Sequence, residues 1–171
     1  MNVLTSSASV SELNTPLLAI PVTAGDSRGA AFDAANAATQ GRLSAIADEE
    51  SYKGKPGTTL LVHTSDLGAC RMLLVGMGKA DSLEASSART LASTAVQAAN
   101  SRHLSGVTVL MPAEMNGADA AAMAAHGAVL GAYRYDVYLT EDVEPLTCES
   151  VTLTGTNGDL GNAVERASAV A

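Results

Sequence analysis

The sequence is poor in aromatic residues, with no tryptophan, one phenylalanine and four tyrosines among 171 positions. Its interior must be built from Ala, Val, Leu, Ile and Met, and a hydrophobic content of 47% is enough for one domain of ordinary size. Alanine in this quantity favours helices laid closely on a flat partner. Positive charge is scarce too. Ten Lys and Arg face eighteen Asp and Glu, and the net charge of −8 repels a phosphate backbone and forgoes counterion release. Nucleic acid is therefore not an expected partner. The two cysteines, Cys70 and Cys148, lie far apart and form no CxxC, which argues against a zinc cluster or a disulfide framework and for a reduced compartment. No basic n-region with an apolar h-region opens the chain, and no run approaches the roughly 18 apolar residues of a bilayer span. The expectation is a cytoplasmic protein with no membrane partner.

Several catalytic signatures are missing as well. A P-loop requires GxxxxGK[ST], so that successive backbone amides wrap the phosphates while Lys and a hydroxyl reach the terminal phosphate and metal; neither "KGKPGTT" nor "GMGKAD" has that spacing. A dinucleotide fingerprint needs a third glycine, and only Gly76 and Gly78 are present. His63, His103 and His126 have no HExxH spacing and no neighbouring carboxylate to make a metal site. No GxSxG elbow marks a nucleophilic serine.

What is present is an alternation of strands and helices. Residues 1–14, rich in serine, read as a flexible arm. "PLLAIPV" reads as a buried strand, with Pro21 at an edge or a bulge. Phe32, Ala35, Thr39, Leu43 and Ile46 recur at helical spacing, with Gly41 weakening the middle of that helix. "TTLLVH" and "RMLLVGMG" form a hairpin, because the short connection is too brief for a parallel crossover. A helix follows, capped by Asp81 or Ser82, with Ala88, Leu91, Ala92, Ala95 and Ala99 buried; "GVTVLMP" is the next core strand. Asn116 caps a further helix, whose Ala120, Met123, Ala124, Gly127, Leu130 and Gly131 share a face that allows close approach, with Gly127 and Gly131 letting the helix press on a sheet. "ESVTLTG" alternates as a half-buried strand, Asn157-Gly158 makes a turn, and Leu160, Val164, Ala167 and Ala171 share a last helical face.

Two places could carry chemistry. Gly76, Gly78 and Lys79 end a strand just before a helix, where an anion could sit or where a tight turn alone is needed. Lys53 and Lys55, beside Gly54 and Gly57, read as a solvated loop. Tyr133, Arg134 and Tyr135 either lock a helix end onto the core or meet another domain or subunit. Cys70, ahead of an apolar strand, reads as packed rather than reactive.

Taken together, "YKGKPGTTLLV" at 52–62, "RMLLVGMGK" at 71–79, "GAYRYDVY" at 131–138 and "ESVTLTG" followed by "AVERASAVA" resemble the amino-terminal domain of the leucyl, or cytosol, aminopeptidases over residues 16–171. The resemblance implies an α/β class, three-layer α/β/α sandwich like that of macro domains, with a mixed, mostly parallel sheet of about five or six strands. It divides the chain into an arm at 1–14, a macro-like domain at 15–158 and, at 159–171, the start of a helix leading to a catalytic domain. In that family the whole enzyme is a hexameric exopeptidase that uses two divalent metals, Zn or Mn. The family's NTDAEGR and GKG(V/I)TFDSGG segments, which carry metal binding and catalysis, do not occur here. No catalytic or metal-binding residue is therefore carried over, and this chain alone is expected to be inactive. Its implied partners are its own carboxy-terminal catalytic domain and other copies in a hexamer, and its implied role is hexamer assembly and active-site access. Two rival readings remain: a macro-like module binding ADP-ribose or a related nucleotide near Gly76 to Lys79, and a stand-alone oligomerisation protein.

Overall fold

The computed structural model describes residues 1–65, 67–112, 115, 117–133 and 146–155. The strands are β1 (Asn2–Ser6), β2 (Leu18–Ala24), β3 (Thr59–His63), β4 (Arg71–Lys79), β5 (Gly106–Leu110) and β6 (Ser150–Thr154). The helices are α1 (Ala30–Ala38), α2 (Arg42–Glu49), α3 (Ala85–Asn100) and α4 (Ala118–Ala132).

Apolar residues are continuous along β2 and β4 because both faces of these strands are covered, and their side chains alternate between two cores. Leu17, Ala19, Leu73 and Val75 pack with α3 and α4, whereas Leu18, Ile20, Met72 and Leu74 pack with α1 and α2. The result is a three-layer α/β/α sandwich. Its six strands run in the order β1-β6-β5-β2-β4-β3, and only the β3–β4 pair is antiparallel. The expected mixed, mostly parallel sheet and the expected hairpin are both present.

Residues 1–14 do not form a flexible arm. β1 pairs in parallel with β6 along its whole length, from Asn2 opposite Ser150 to Ser6 opposite Thr154. A 3-10 turn at Val10–Glu12 follows, in which the Ser9 amide and hydroxyl both donate to Glu12 Oε2, at 2.9 and 2.6 Å. These bonds hold the Glu12 carboxyl below its usual range. Val10 and Leu13 are buried. A short edge strand paired by backbone alone needs no apolar alternation, which is why the segment looked featureless.

The single helix expected after Arg28 is two helices. Gln40 and Gly41 take positive φ values of 53° and 84°, and the Gly41 amide donates to the Asn36 carbonyl at 2.8 Å, closing α1 before α2 begins. The stripe nonetheless reaches the core as read, with Phe32, Ala35, Thr39 and Leu43 buried and Ile46 half-buried. Pro21 sits in a central strand, not at an edge. β5 pairs with β2 only at Leu18 and Ala19, so no ladder on that side reaches the proline, and a bulge follows between Val22 and Thr23.

α3 buries all five of its expected stripe residues, and its N-cap is Glu84, after a 3-10 turn at Ala80–Ser82, rather than Asp81 or Ser82. α4 starts after Gly117; the expected cap, Asn116, lies outside the described residues. Its two glycines meet α3 rather than the sheet: a side chain at Gly127 would overlap the Arg89 carbonyl, and one at Gly131 would come within 2.7 Å of the Ser93 carbonyl oxygen. Met123 and Leu130, read as members of that buried face, are exposed instead. The expected turn at Asn157-Gly158 and the helix at 159–171 fall outside the described residues.

Candidate functional site

The two lysine-glycine stretches, 53–57 and 76–79, are separated by eighteen residues in sequence and meet in space. The loop 53–58 lies across the carboxyl end of β4, where the Gly76 amide donates to the Thr58 carbonyl at 2.8 Å and the Gly78 amide to the Gly54 carbonyl at 3.0 Å. Glycine is required on both sides of this contact. A Cβ at Gly76 would overlap the Lys55 carbonyl oxygen, one at Gly78 would lie 2.8 Å from the Pro56 ring, and one at Gly54 would lie 2.9 Å from the Val22 and Thr23 carbonyl oxygens. Gly54 and Gly78 also hold positive φ, at 63° and 80°.

Tyr52 secures the strap from beneath. It is 8% exposed, and its hydroxyl donates to the Thr58 carbonyl at 3.0 Å, while burial pushes its pKa above the usual phenol value. The Thr58 hydroxyl donates to the Lys55 carbonyl at 2.6 Å. Gly76 and Gly78 are thus buried with their amides already engaged, and an anion at this place would have to be met by side chains. Lys53, Lys55 and Lys79 are all exposed around the strap, and they are the only lysines in the chain. Arg134 and Tyr135 lie outside the described residues.

A second feature escaped the sequence. At the carboxyl ends of β5 and β6 a cleft of about 300 Å³ opens against the first turns of α1 and the 3-10 turn after β1. Leu110 and Met111 form one wall, Thr154 and Gly155 another, and Ala30, Ala31, Ala34 and the 8–10 segment close it. Ligands of open α/β sheets bind at this end of the strands. Among the described residues the lining is apolar apart from Ser9 and Thr154, and the Thr154 hydroxyl donates to the Ala8 carbonyl at 3.1 Å. No single stretch signals the cleft, because its walls come from four separate segments.

The remaining residues singled out in the sequence stay apart. His63 lies on β3, His103 after α3 and His126 on α4, and among the described residues no group of three or more His, Cys, Asp or Glu is placed to hold a metal ion. Cys70 is exposed rather than packed, since it precedes β4 by one residue and lies outside both cores. Cys148 is buried, and burial raises its thiol pKa.

Comparison with known proteins agrees with this architecture. The family model described as the N-terminal domain of the cytosol aminopeptidase family matches residues 19–142. The cytosol aminopeptidase of Pseudomonas aeruginosa is 33% identical over 175 residues, covering 98% of this chain and 35% of the relative. A tomato leucine aminopeptidase variant superposes with a TM-score of 0.80 at 23% identity, covering 99% of this chain and 36% of that one. The macro domain of ganglioside induced differentiation associated protein 2 superposes with a TM-score of 0.63 at 13% identity, covering 96% and 81% of the two chains, which shows a shared fold. The chain spans about a third of the length of these aminopeptidases. It belongs to the cytosol aminopeptidase family, as that family's N-terminal domain.

Proposed function

We propose that this chain is the non-catalytic portion of a di-metal leucyl aminopeptidase, serving hexamer assembly and access to the active site in the cytoplasm. The observation that carries the reading is the extent of the match: it is confined to an N-terminal domain, in relatives about three times as long. Peptide hydrolysis would then belong to the remaining two-thirds. Two divalent ions, Zn or Mn, would there activate a hydroxide and polarise the scissile carbonyl. The described residues offer no matching donor set, so no step of hydrolysis is derived through them.

The nucleotide-binding reading finds less support. The strap fills the place where Gly76 and Gly78 could have cradled phosphate, and among the described residues the cleft at β5 and β6 has no charged side chain in its lining to meet one.

The test is an assay of the purified chain on a leucine anilide, with Mn or Zn added, beside the Pseudomonas aeruginosa relative. Turnover by the relative and none by this chain is the expected result. Metal-dependent release of leucine by this chain, after contaminating peptidase is excluded, would overturn the proposal.

A further inference from the structure

The cleft at the carboxyl ends of β5 and β6 stands where the chain changes direction across the sheet. The connection leaving β2 runs through α1 and α2 toward β3 and β4, whereas the one leaving β5 runs through α4 the other way, to β6. α1 and α4 accordingly cover opposite faces, and the two strands part between them. Their pairing stops at Ala19 and Val109; the Leu17 carbonyl accepts from the Thr108 amide at 2.8 Å, and the β2 position due to donate further along on that side is Pro21, which has no N–H. A crevice at such a switch point is where open α/β sheets seat their ligands. We infer that this cleft binds a compact, uncharged, largely apolar small molecule carrying a hydrogen-bond donor, about the size of two fused rings. The inference goes beyond the role proposed above and does not rest on it.

Three observations set that chemistry. The first is size. An apolar cavity of about 150 Å³ holds one benzene ring, so the cleft, at about 300 Å³, has room for a fused pair. The second is the lining. Ala30, Ala31 and Ala34 present methyl groups, Leu110 and Met111 present longer apolar chains, and no charged side chain among the described residues faces the space. An ion entering it would shed water with no opposite charge to replace it, and an anion would also meet a chain of net −8. The third is the direction of the two hydroxyls. Thr154 gives its proton to the Ala8 carbonyl at 3.1 Å, and Ser9 gives its proton to Glu12 Oε2 at 2.6 Å. With those hydrogens committed, both oxygens meet a ligand as acceptors, so the ligand must bring the hydrogen. A carboxylate or phosphate, which only accepts, finds a partner in neither.

Indole is the probe: two fused rings, one N–H, no charge, and an emission that stands clear in a chain without tryptophan. Its fluorescence anisotropy, titrated against the 171-residue chain, should saturate with a dissociation constant on the order of 100 µM. Indene, which keeps the rings and lacks the donor, should displace it about fivefold more weakly. Indole-3-acetate and tryptamine, the anionic and cationic relatives, should be weaker still. Ala34→Leu, at an exposed helix position in the lining, should fill the space and weaken indole and indene alike by about tenfold, with the melting curve unchanged. Thr154→Val keeps the shape and removes the acceptor, so indole should fall to the affinity of indene. Indene binding unchanged in that variant shows the cleft still formed. No saturable signal at millimolar indole, binding indifferent to Ala34→Leu, or equal affinity for indole and indene would each overturn the inference. So would tighter binding of either charged relative or of ADP-ribose. The peptidase assay bears on none of these outcomes, so the two readings fail separately.

Discussion

Two regions of this molecule use glycine for close approach and fasten it differently. At the carboxyl end of β4, Gly76 and Gly78 admit the 53–58 strap, and each donates its amide to a carbonyl of that strap. Between α3 and α4, Gly127 and Gly131 admit a helix backbone whose carbonyls are already committed within α3, so that contact rests on packing alone. The strap is a local clamp at an exposed rim. The helix pair is part of the larger core, which joins Val151 and Leu153 of β6 to Leu91 and Ala95 of α3. Crowding the first should loosen a loop, and crowding the second should loosen the fold.

The largest effect is expected from Gly127→Leu. The new side chain has only the Arg89 backbone to displace, and forcing the helices apart should cost roughly 3 kcal/mol or more, read as a lower midpoint in urea denaturation. Gly76→Ala should be milder, at about 2 kcal/mol, because the strap can lift where a core helix cannot. Hydrogen exchange would separate the two, with faster exchange confined to residues 52–58 and 76–78 in the second variant. Equal, global loss of protection in both would erase the contrast between clamp and core.

The smallest effect is expected from Tyr52→Phe, at about 1 kcal/mol, since the Thr58 carbonyl keeps the Gly76 amide after the hydroxyl is gone. It also carries a pH signature. Burial raises the Tyr52 pKa in the folded state above 10.0, so the unfolded chain ionises first and stability falls as pH rises past that value. Below pH 10 the protonated phenol contributes in full. A denaturation series from neutral to strongly alkaline pH should show this decline in the native protein and a shallower one in Tyr52→Phe.

Much of the larger core was legible in the sequence. α3 announced its buried face through Ala88, Leu91, Ala92, Ala95 and Ala99, and β3 and β4 announced a hairpin by the shortness of their connection. Periodicity records which side of an element is covered, not by what. Gly127 and Gly131 of α4 were read as pressing on a sheet, while their partner is α3. Met123 and Leu130 were placed by their spacing on one face with the glycines, yet both are exposed. β1 left no pattern because a five-residue edge strand is specified by its neighbour's backbone. In the strap, both glycine pairs were visible as turn formers, but the bonds from Gly76 to Thr58 and from Gly78 to Gly54 join segments that no local rule connects. The cleft at β5 and β6 was invisible for the same reason.

The pairing of β1 with β6 also has a temporal consequence. β1 is hydrogen-bonded to β6, which lies almost 150 residues further along the chain, so during synthesis it waits for its one sheet neighbour among the described strands until that stretch has been made. At about 5–20 residues per second that interval is roughly 7 to 30 seconds. Throughout it, Val3 and Leu4 are displayed to chaperones and proteases, and the β1 edge is the last part of the sheet to gain shelter.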